Sequence, residues 1–141
     1  LEAARLLADA PAEVTLVDRN NYHTFLPLLY QVAAAELEAA EIGYPVRAIV
    51  RKLPNARFTM AEVTGLDLDN RVVETEGRLI PYDFLILAVG SVPHFFGVQG
   101  ADQHAFPLYS LEQGVALRGH ILRCFEQAVW ESNSEARQRM L

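Results

Sequence analysis

The stretch Tyr82-Asp83-Phe84-Leu85-Ile86-Leu87-Ala88-Val89-Gly90-Ser91-Val92-Pro93 decides the fold. Phe84 to Val89 is an uninterrupted apolar run, bounded by Asp83 and by Gly90-Ser91. A short run that is apolar on both faces suits a strand buried inside a parallel sheet and covered above and below. It stops at a glycine, where the backbone can turn sharply or let a ligand lie close. In open α/β sheets ligands gather at the carboxyl ends of the strands, which is where Gly90 and Ser91 fall. On its own the stretch reads as a buried strand with an ordinary loop behind it, and the flanking segments decide whether more is meant.

Composition narrows the classes. At 141 residues the chain is one domain or less, and 51% hydrophobic with 21% charged residues is ordinary globular composition. A net charge of −6, with no basic stripe, argues against a nucleic-acid partner. No apolar run approaches the ~20 residues a membrane helix needs. The first ten residues lack the basic start and long apolar centre of a secretory signal. A lone cysteine, Cys124, cannot form an internal disulfide, and the histidines lack metal-ligand spacing.

Upstream, Leu1 to Ala10 is built of good helix formers with no capping residue before them, and Pro11 ends it. Val14-Thr15-Leu16-Val17 reads as a short strand closed by Asp18. A helix that delivers a strand ending in an acid is the second half of a dinucleotide-binding βαβ unit. There the acid accepts from a ribose, and a glycine-rich turn precedes the helix. Residues 1–141 show no such turn ahead of this helix, and Asp18 alone would also suit a solvated turn.

A polar turn, Asn20-Asn21, leads to Tyr22, His23 and Phe25, and Pro27 then opens a helix reaching about Leu37. That helix is apolar around most of its girth and is expected to be buried. His23 reads as a hydrogen-bonded structural histidine, because no carboxylate or nucleophile stands beside it in sequence. Val46 to Leu53 has the spacing of a short amphipathic helix broken by Pro54-Asn55. Arg57-Phe58-Thr59-Met60 is a strand. Glu62–Asp67, Arg71–Glu76 and Arg78–Pro81 are three further β pieces with turns at Asp69-Asn70 and Glu76-Gly77, a small antiparallel meander. After an irregular stretch from Gly90 to Leu108, Ser110-Leu-Glu-Gln113 has the arrangement of a capping box. The helix it opens carries Leu111, Val115, Ile121, Leu122, Phe125 and Val129 as one broad apolar stripe, with Cys124 packing at its edge.

Asp18-Arg19-Asn20-Asn21-Tyr22-His23, then Phe25 and Pro27-Leu28-Leu29-Tyr30-Gln31-Val32-Ala33, resembles the flavin-domain segment of type II NADH dehydrogenases. The resemblance continues through Tyr44-Pro45-Val46-Arg47, the Tyr82–Pro93 stretch, His104-Ala105-Phe106-Pro107-Leu108 and His120 to Glu126, and so covers nearly the whole chain. It implies an α/β fold: a partial Rossmann-like FAD-binding domain, a parallel sheet with an inserted antiparallel β-meander, lacking its first strand and glycine-rich loop. The absent strand belongs between Val14–Val17 and Phe84–Val89 in the usual order. Residues 1–130 would be the partial FAD-binding domain, and 131–141 a linker toward an absent NADH-binding domain. Two buried strands would then lose a shared neighbour, so this polypeptide alone is expected to bind FAD poorly and to be marginally folded.

By the same resemblance, Asp18 hydrogen-bonds the adenosine ribose, Arg19 flanks the adenine, and Val63 approaches it by main-chain contact. Ala88, Gly90 and Ser91 pass close to the FAD backbone, and Pro27 and Leu28 shape a flavin-facing loop. No catalytic acid or base is assigned. The full-length enzyme would pass electrons from NADH through FAD to a quinone. It would be cytoplasmic, peripheral to the inner face of the membrane through a C-terminal region, with a homodimer left open and no nucleic acid bound. The region after Asp18 holds no Cys-x4-Cys pair, so sulfur-linked electron transfer is excluded for this segment. The alternatives are a related FAD/NAD(P)H oxidoreductase (ferredoxin or rubredoxin reductase, or sulfide:quinone oxidoreductase) and a non-catalytic nucleotide-binding module.

Overall fold

A computed structural model describes all of residues 1–141, which fold as two units. Leu1–His23 with Tyr44–Gly90 forms one, and Thr24–Gly43 with Ser91–Leu141 forms the other. Two short strands, β2 (Tyr22–Thr24) and β3 (Gly43–Pro45), pair with each other where the chain leaves and re-enters the first unit.

The first unit is organised on strand β1 (Val14–Asp18), which pairs in parallel with β4 (Ala56–Met60) from Val14 opposite Ala56 to Asp18 opposite Met60. Helix α4 (Val46–Val50) packs on this pair, so that Val46, Val50 and Phe58 are buried with Leu1, Leu16 and Ala56 against them. The Arg47 guanidinium lies over the Phe58 ring, 5.0 Å from its centroid, and donates to the Phe58 carbonyl at 3.3 Å. The amphipathic spacing of residues 46–53 thus survives as one α-helix followed by turns.

Helix α1 covers only Glu2–Leu6, shorter than the helix to Ala10 that the sequence suggests. The cause is Pro11. A continued helix would offer the Leu7 carbonyl to residue 11, which has no N–H. Instead the Leu7 carbonyl accepts from Ala10 N–H at 3.0 Å and from Asn55 Nδ2 at 2.7 Å, and the same amide reaches the carbonyls of Ala12 at 2.9 Å and Ala10 at 3.4 Å. The Asn55 carbonyl in turn accepts from Val14 N–H at 2.9 Å, which starts β1 in register with β4. Asn55 Oδ1 is buried without a partner.

The meander forms as its turn residues dictate: β5 (Val63–Asp67), β6 (Val72–Thr75) and β7 (Leu79–Pro81) are antiparallel in that spatial order, with Val73 buried. Asp67 caps the first turn, its Oδ1 accepting from Asn70 N–H at 2.8 Å and its Oδ2 from Asn70 Nδ2 at 2.7 Å. The Asn70 amide group is the main cause that holds the Asp67 carboxyl below its ordinary value.

The deciding stretch departs from expectation. Residues 84–89 form no strand, and Phe84 is 94% and Val89 85% exposed. Their composition still suits burial, but no strand among residues 1–141 offers them a ladder. An unpaired apolar segment cannot be a central strand. Gly90 does adopt the left-handed conformation, φ +75°, that its place at the end of the run calls for.

In the second unit a 3₁₀ turn (Leu26–Leu28) enters α2 (Leu29–Ala33), followed by α3 (Ala39–Ile42), α5 (Ala101–His104), α6 (Leu111–Trp130) and α7 (Ser134–Met140). Leu29, Val32 and Ile42 make its core, joined by Leu28, Leu37, Ala39 and Leu111. The expected buried helix is therefore buried on one side only, since Tyr30 stays 57% exposed. The capping box of α6 is formed: Ser110 Oγ accepts from Gln113 N–H at 3.2 Å, and Gln113 Oε1 from Ser110 N–H at 3.1 Å.

The buried face of α6 is not the predicted stripe. Gly114 and Ala128 are buried and Leu111 and Ile121 half-buried, while Val115, Leu122, Phe125 and Val129 stay exposed. Close packing explains the shift: a Cβ on Gly114 would lie 2.8 Å from Leu29 Cδ1, so only the smallest side chain fits there. Arg118 adds an ion pair at 3.2 Å to Glu38, the residue that caps α3.

Candidate functional site

The carboxyl end of the β1–β4 pair is where a doubly wound sheet would receive a ligand. Asp18 is the last residue of β1 and is exposed. Its carbonyl accepts from Ala61 N–H at 3.0 Å, so the chain leaving β4 is tied to the same rim. Val63 follows two residues later and begins β5, half open to solvent. Two residues span at most ~7 Å, so Asp18, Arg19 and Val63 are brought to one rim.

The Asp18 side chain is already partly organised. Its Oδ1 accepts from Asn20 N–H at 2.8 Å, an Asx turn that folds the chain back after β1. This leaves Oδ2 to accept from an incoming hydroxyl. A carboxylate with one oxygen fixed by the backbone and one open is suited to a vicinal diol such as a ribose.

The remaining candidates sit elsewhere. Ala88 and Gly90 belong to the first unit but lie in the exposed, unpaired stretch, and no hydrogen bond joins them to the Asp18 rim. Pro27, Leu28 and Ser91 belong to the second unit. Pro27 is exposed in the 3₁₀ turn, Leu28 packs against the Leu29–Val32–Ile42 core, and Ser91 shares a hydrogen bond with the Tyr109 hydroxyl at 2.5 Å. His23, read as a hydrogen-bonded structural group, stands exposed in β2.

Sequence reasoning missed two groupings. Tyr109 was not singled out, and only its place beside the cap residue Ser110 could have flagged it. Cys124 Sγ lies 3.6 Å from His120 Nε2, and the His120 ring packs on Phe106 with centroids 4.5 Å apart. The i,i+4 spacing of His120 and Cys124 was the available signal. No three His, Cys, Asp or Glu side chains gather to hold a metal ion.

Residues 1–129 match the family model described as pyridine nucleotide-disulphide oxidoreductase. The chain belongs to this family. Among relatives of the pyridine nucleotide-disulphide oxidoreductases, the type II NADH:quinone oxidoreductase Ndh of Mycobacterium tuberculosis is 37% identical over 145 residues, an alignment covering 100% of this chain and 31% of the relative. A type II NADH:quinone oxidoreductase of Staphylococcus aureus is 32% identical, over 83% of this chain and 29% of its own. Against these relatives the chain therefore spans less than a third of their length.

Among solved structures, NDH2 from Plasmodium falciparum in complex with RYL-552 superposes with a TM-score of 0.81 at 24% identity, covering 92% of this chain and 28% of that one. The sulfide:quinone oxidoreductase of Aquifex aeolicus gives 0.76 at 23% identity, covering 88% and 29%. At such identities these likenesses speak for the fold alone. They establish the α/β architecture expected from the sequence. The disulphide of the family name needs two cysteines, and residues 1–141 hold Cys124 alone.

Proposed function

We propose that the chain is the flavin-cradling part of a type II NADH:quinone oxidoreductase that passes electrons from NADH through FAD to a quinone. The observation that carries this reading is the 37% identity to the mycobacterial enzyme across the whole of the chain. The Asp18 rim supports it independently, because an acid at the end of a parallel strand with one free oxygen fits the adenosine end of FAD.

In this reading Asp18 accepts from a ribose hydroxyl, Arg19 flanks the adenine, and the Val63 main chain lies beside it. Ala88, Gly90 and Ser91 keep the backbone slim where the cofactor passes, and Pro27 and Leu28 shape the flavin-facing loop. The residues present fit the adenosine end, whereas no glycine-rich turn among them serves the diphosphate. FAD when bound supplies the two-electron chemistry, and the protein orients it and tunes its surroundings. No side chain of this chain is assigned as acid or base. Residues 1–130 are assigned to the flavin domain and 131–141 to the connection toward an NADH-binding domain. Contact with the inner face of the membrane is assigned to a C-terminal region outside residues 1–141, and the reading allows a homodimer. No helix of the chain is long and apolar enough to cross a membrane.

The test uses the longer natural polypeptide. Stoichiometric FAD, reduced by NADH and reoxidised by a quinone in stopped flow, is the expected result. Flavin that is reoxidised by ferredoxin or rubredoxin but not by quinone would move the protein to a related reductase. A stably folded, flavin-free product would overturn the reading in favour of a non-catalytic module.

A further inference from the structure

Tyr109 is built into the second unit more firmly than a loop residue needs to be. Its N–H donates to Gln113 Oε1 at 2.8 Å, and the neighbouring Ser110 N–H donates to the same oxygen at 3.1 Å. Both amides are thereby anchored to the first turn of α6, a helix of 20 residues. From this fixed base the Tyr109 phenol reaches back 18 positions and meets the Ser91 hydroxyl at 2.5 Å.

Ser91 lies in no helix or strand and is exposed. A serine in such a segment would otherwise sample several rotamers and backbone states, and ordering it on ligand binding would oppose association. The Tyr109 hydroxyl removes that freedom in advance. We propose that Tyr109 is a positioning residue that pre-sets Ser91 for contact with the cofactor. The inference rests on the flavin reading of Ser91 and adds to it a residue that acts through Ser91, not on the cofactor directly. The chemistry required is small: one hydroxyl–hydroxyl bond, lost in Tyr109→Phe with the ring retained, and lost from the other side in Ser91→Ala.

The experiment measures FAD affinity of the longer protein by rebinding FAD to the apoprotein, for the wild type, Tyr109→Phe, Ser91→Ala, the double variant and Ser91→Thr. Each single removal is expected to weaken FAD binding about three- to tenfold, the range one net hydrogen bond spans. The double variant should be no weaker than Ser91→Ala alone, because Tyr109 acts only through the Ser91 hydroxyl. Ser91→Thr, which keeps the hydroxyl, should lose less affinity than Ser91→Ala, and the apoprotein melting temperatures should agree across the set. Wild-type affinity in Tyr109→Phe, or losses that multiply in the double variant, would overturn the inference. So would a loss of affinity matched by a fall in apoprotein melting temperature, which would make Tyr109 a stabilising residue only. A wild type that takes up no FAD overturns the flavin reading itself, a result distinct from a flavin-binding wild type with independent variants.

Discussion

The Ala61 amide donates to the Asp18 carbonyl at 3.0 Å, closing the parallel pair at the rim where Asp18 stands opposite Met60. This bond uses the Asp18 backbone and leaves its carboxylate free of the sheet. Removing the side chain should therefore keep the β1–β4 pairing, while giving up the Asx turn to the Asn20 amide. In the longer protein, Asp18→Ala is expected to cost about 2 kcal/mol of FAD affinity, roughly thirtyfold, as for loss of a hydrogen bond to a charged acceptor. The flavin-to-protein ratio after gel filtration reads this directly, and an unchanged ratio would remove Asp18 from the site.

Two glycines of α6 should respond in opposite senses. Gly114 faces Leu29 inside the core, so Gly114→Val should destabilise the protein by about 2 kcal/mol through overpacking. Gly119 has only the flexible end of Arg123 near its added Cβ, at 3.3 Å. Gly119→Ala should stabilise by up to about 1 kcal/mol through helix propensity. Urea unfolding of the two variants against the wild type checks both signs.

The turn between β5 and β6 should show a pH signature of its own. Asn70 donates from side chain and backbone to Asp67 and holds its carboxyl low. A depressed carboxylate contributes stability that is fully present above its unfolded value, and that is lost as pH falls through the folded value. The window therefore lies below about pH 4. Carboxyl NMR titration should find the Asp67 midpoint below the usual carboxylate range, and Asn70→Ala should raise it. A midpoint that does not respond to that substitution would mean that Asn70 is not the cause.

The run from Phe84 to Val89 should govern the solubility of residues 1–141 on their own. Ile86 is 63% and Leu87 60% exposed, with Phe84 and Val89 more open still, an apolar surface of the kind that drives association. Ile86→Lys is expected to lower light scattering of the isolated 141-residue chain without lowering its melting temperature. In the longer protein, where the sequence places this run inside a sheet, the same substitution should destabilise by several kcal/mol, as burying an unpaired charge does. Equal behaviour of the two forms would show that the run is never covered.

Local signals in the sequence carried the architecture where they acted on near neighbours. The meander followed from Asp69-Asn70 and Glu76-Gly77, and the start of α6 from Ser110 and Gln113, since turn and cap chemistry is completed within four residues. Features that depend on distant partners were not legible. The apolar face of α6 was misjudged because Leu29, far away in sequence, demands a glycine at 114. The stretch from Phe84 to Val89 has the composition of a central strand, yet composition does not supply a neighbour to pair with. Of the candidate site, Asp18 was readable from a strand ending in an acid, whereas Arg19 and Val63 entered only through the family resemblance. The Ser91–Tyr109 bond was not, because neither residue carries a pattern that announces the other.

Asn55 holds its place through its amide nitrogen, whose two hydrogens are shared among the carbonyls of Leu7, Ala12 and, more distantly, Ala10. Deamidation would convert that donor into a carboxylate oxygen facing three carbonyl oxygens, with nothing left to share between them. The link from the α1 turn to the start of β1 would then repel where it now attracts. Chemical ageing at one side chain would loosen the strand that presents Asp18, without altering any residue of the rim itself.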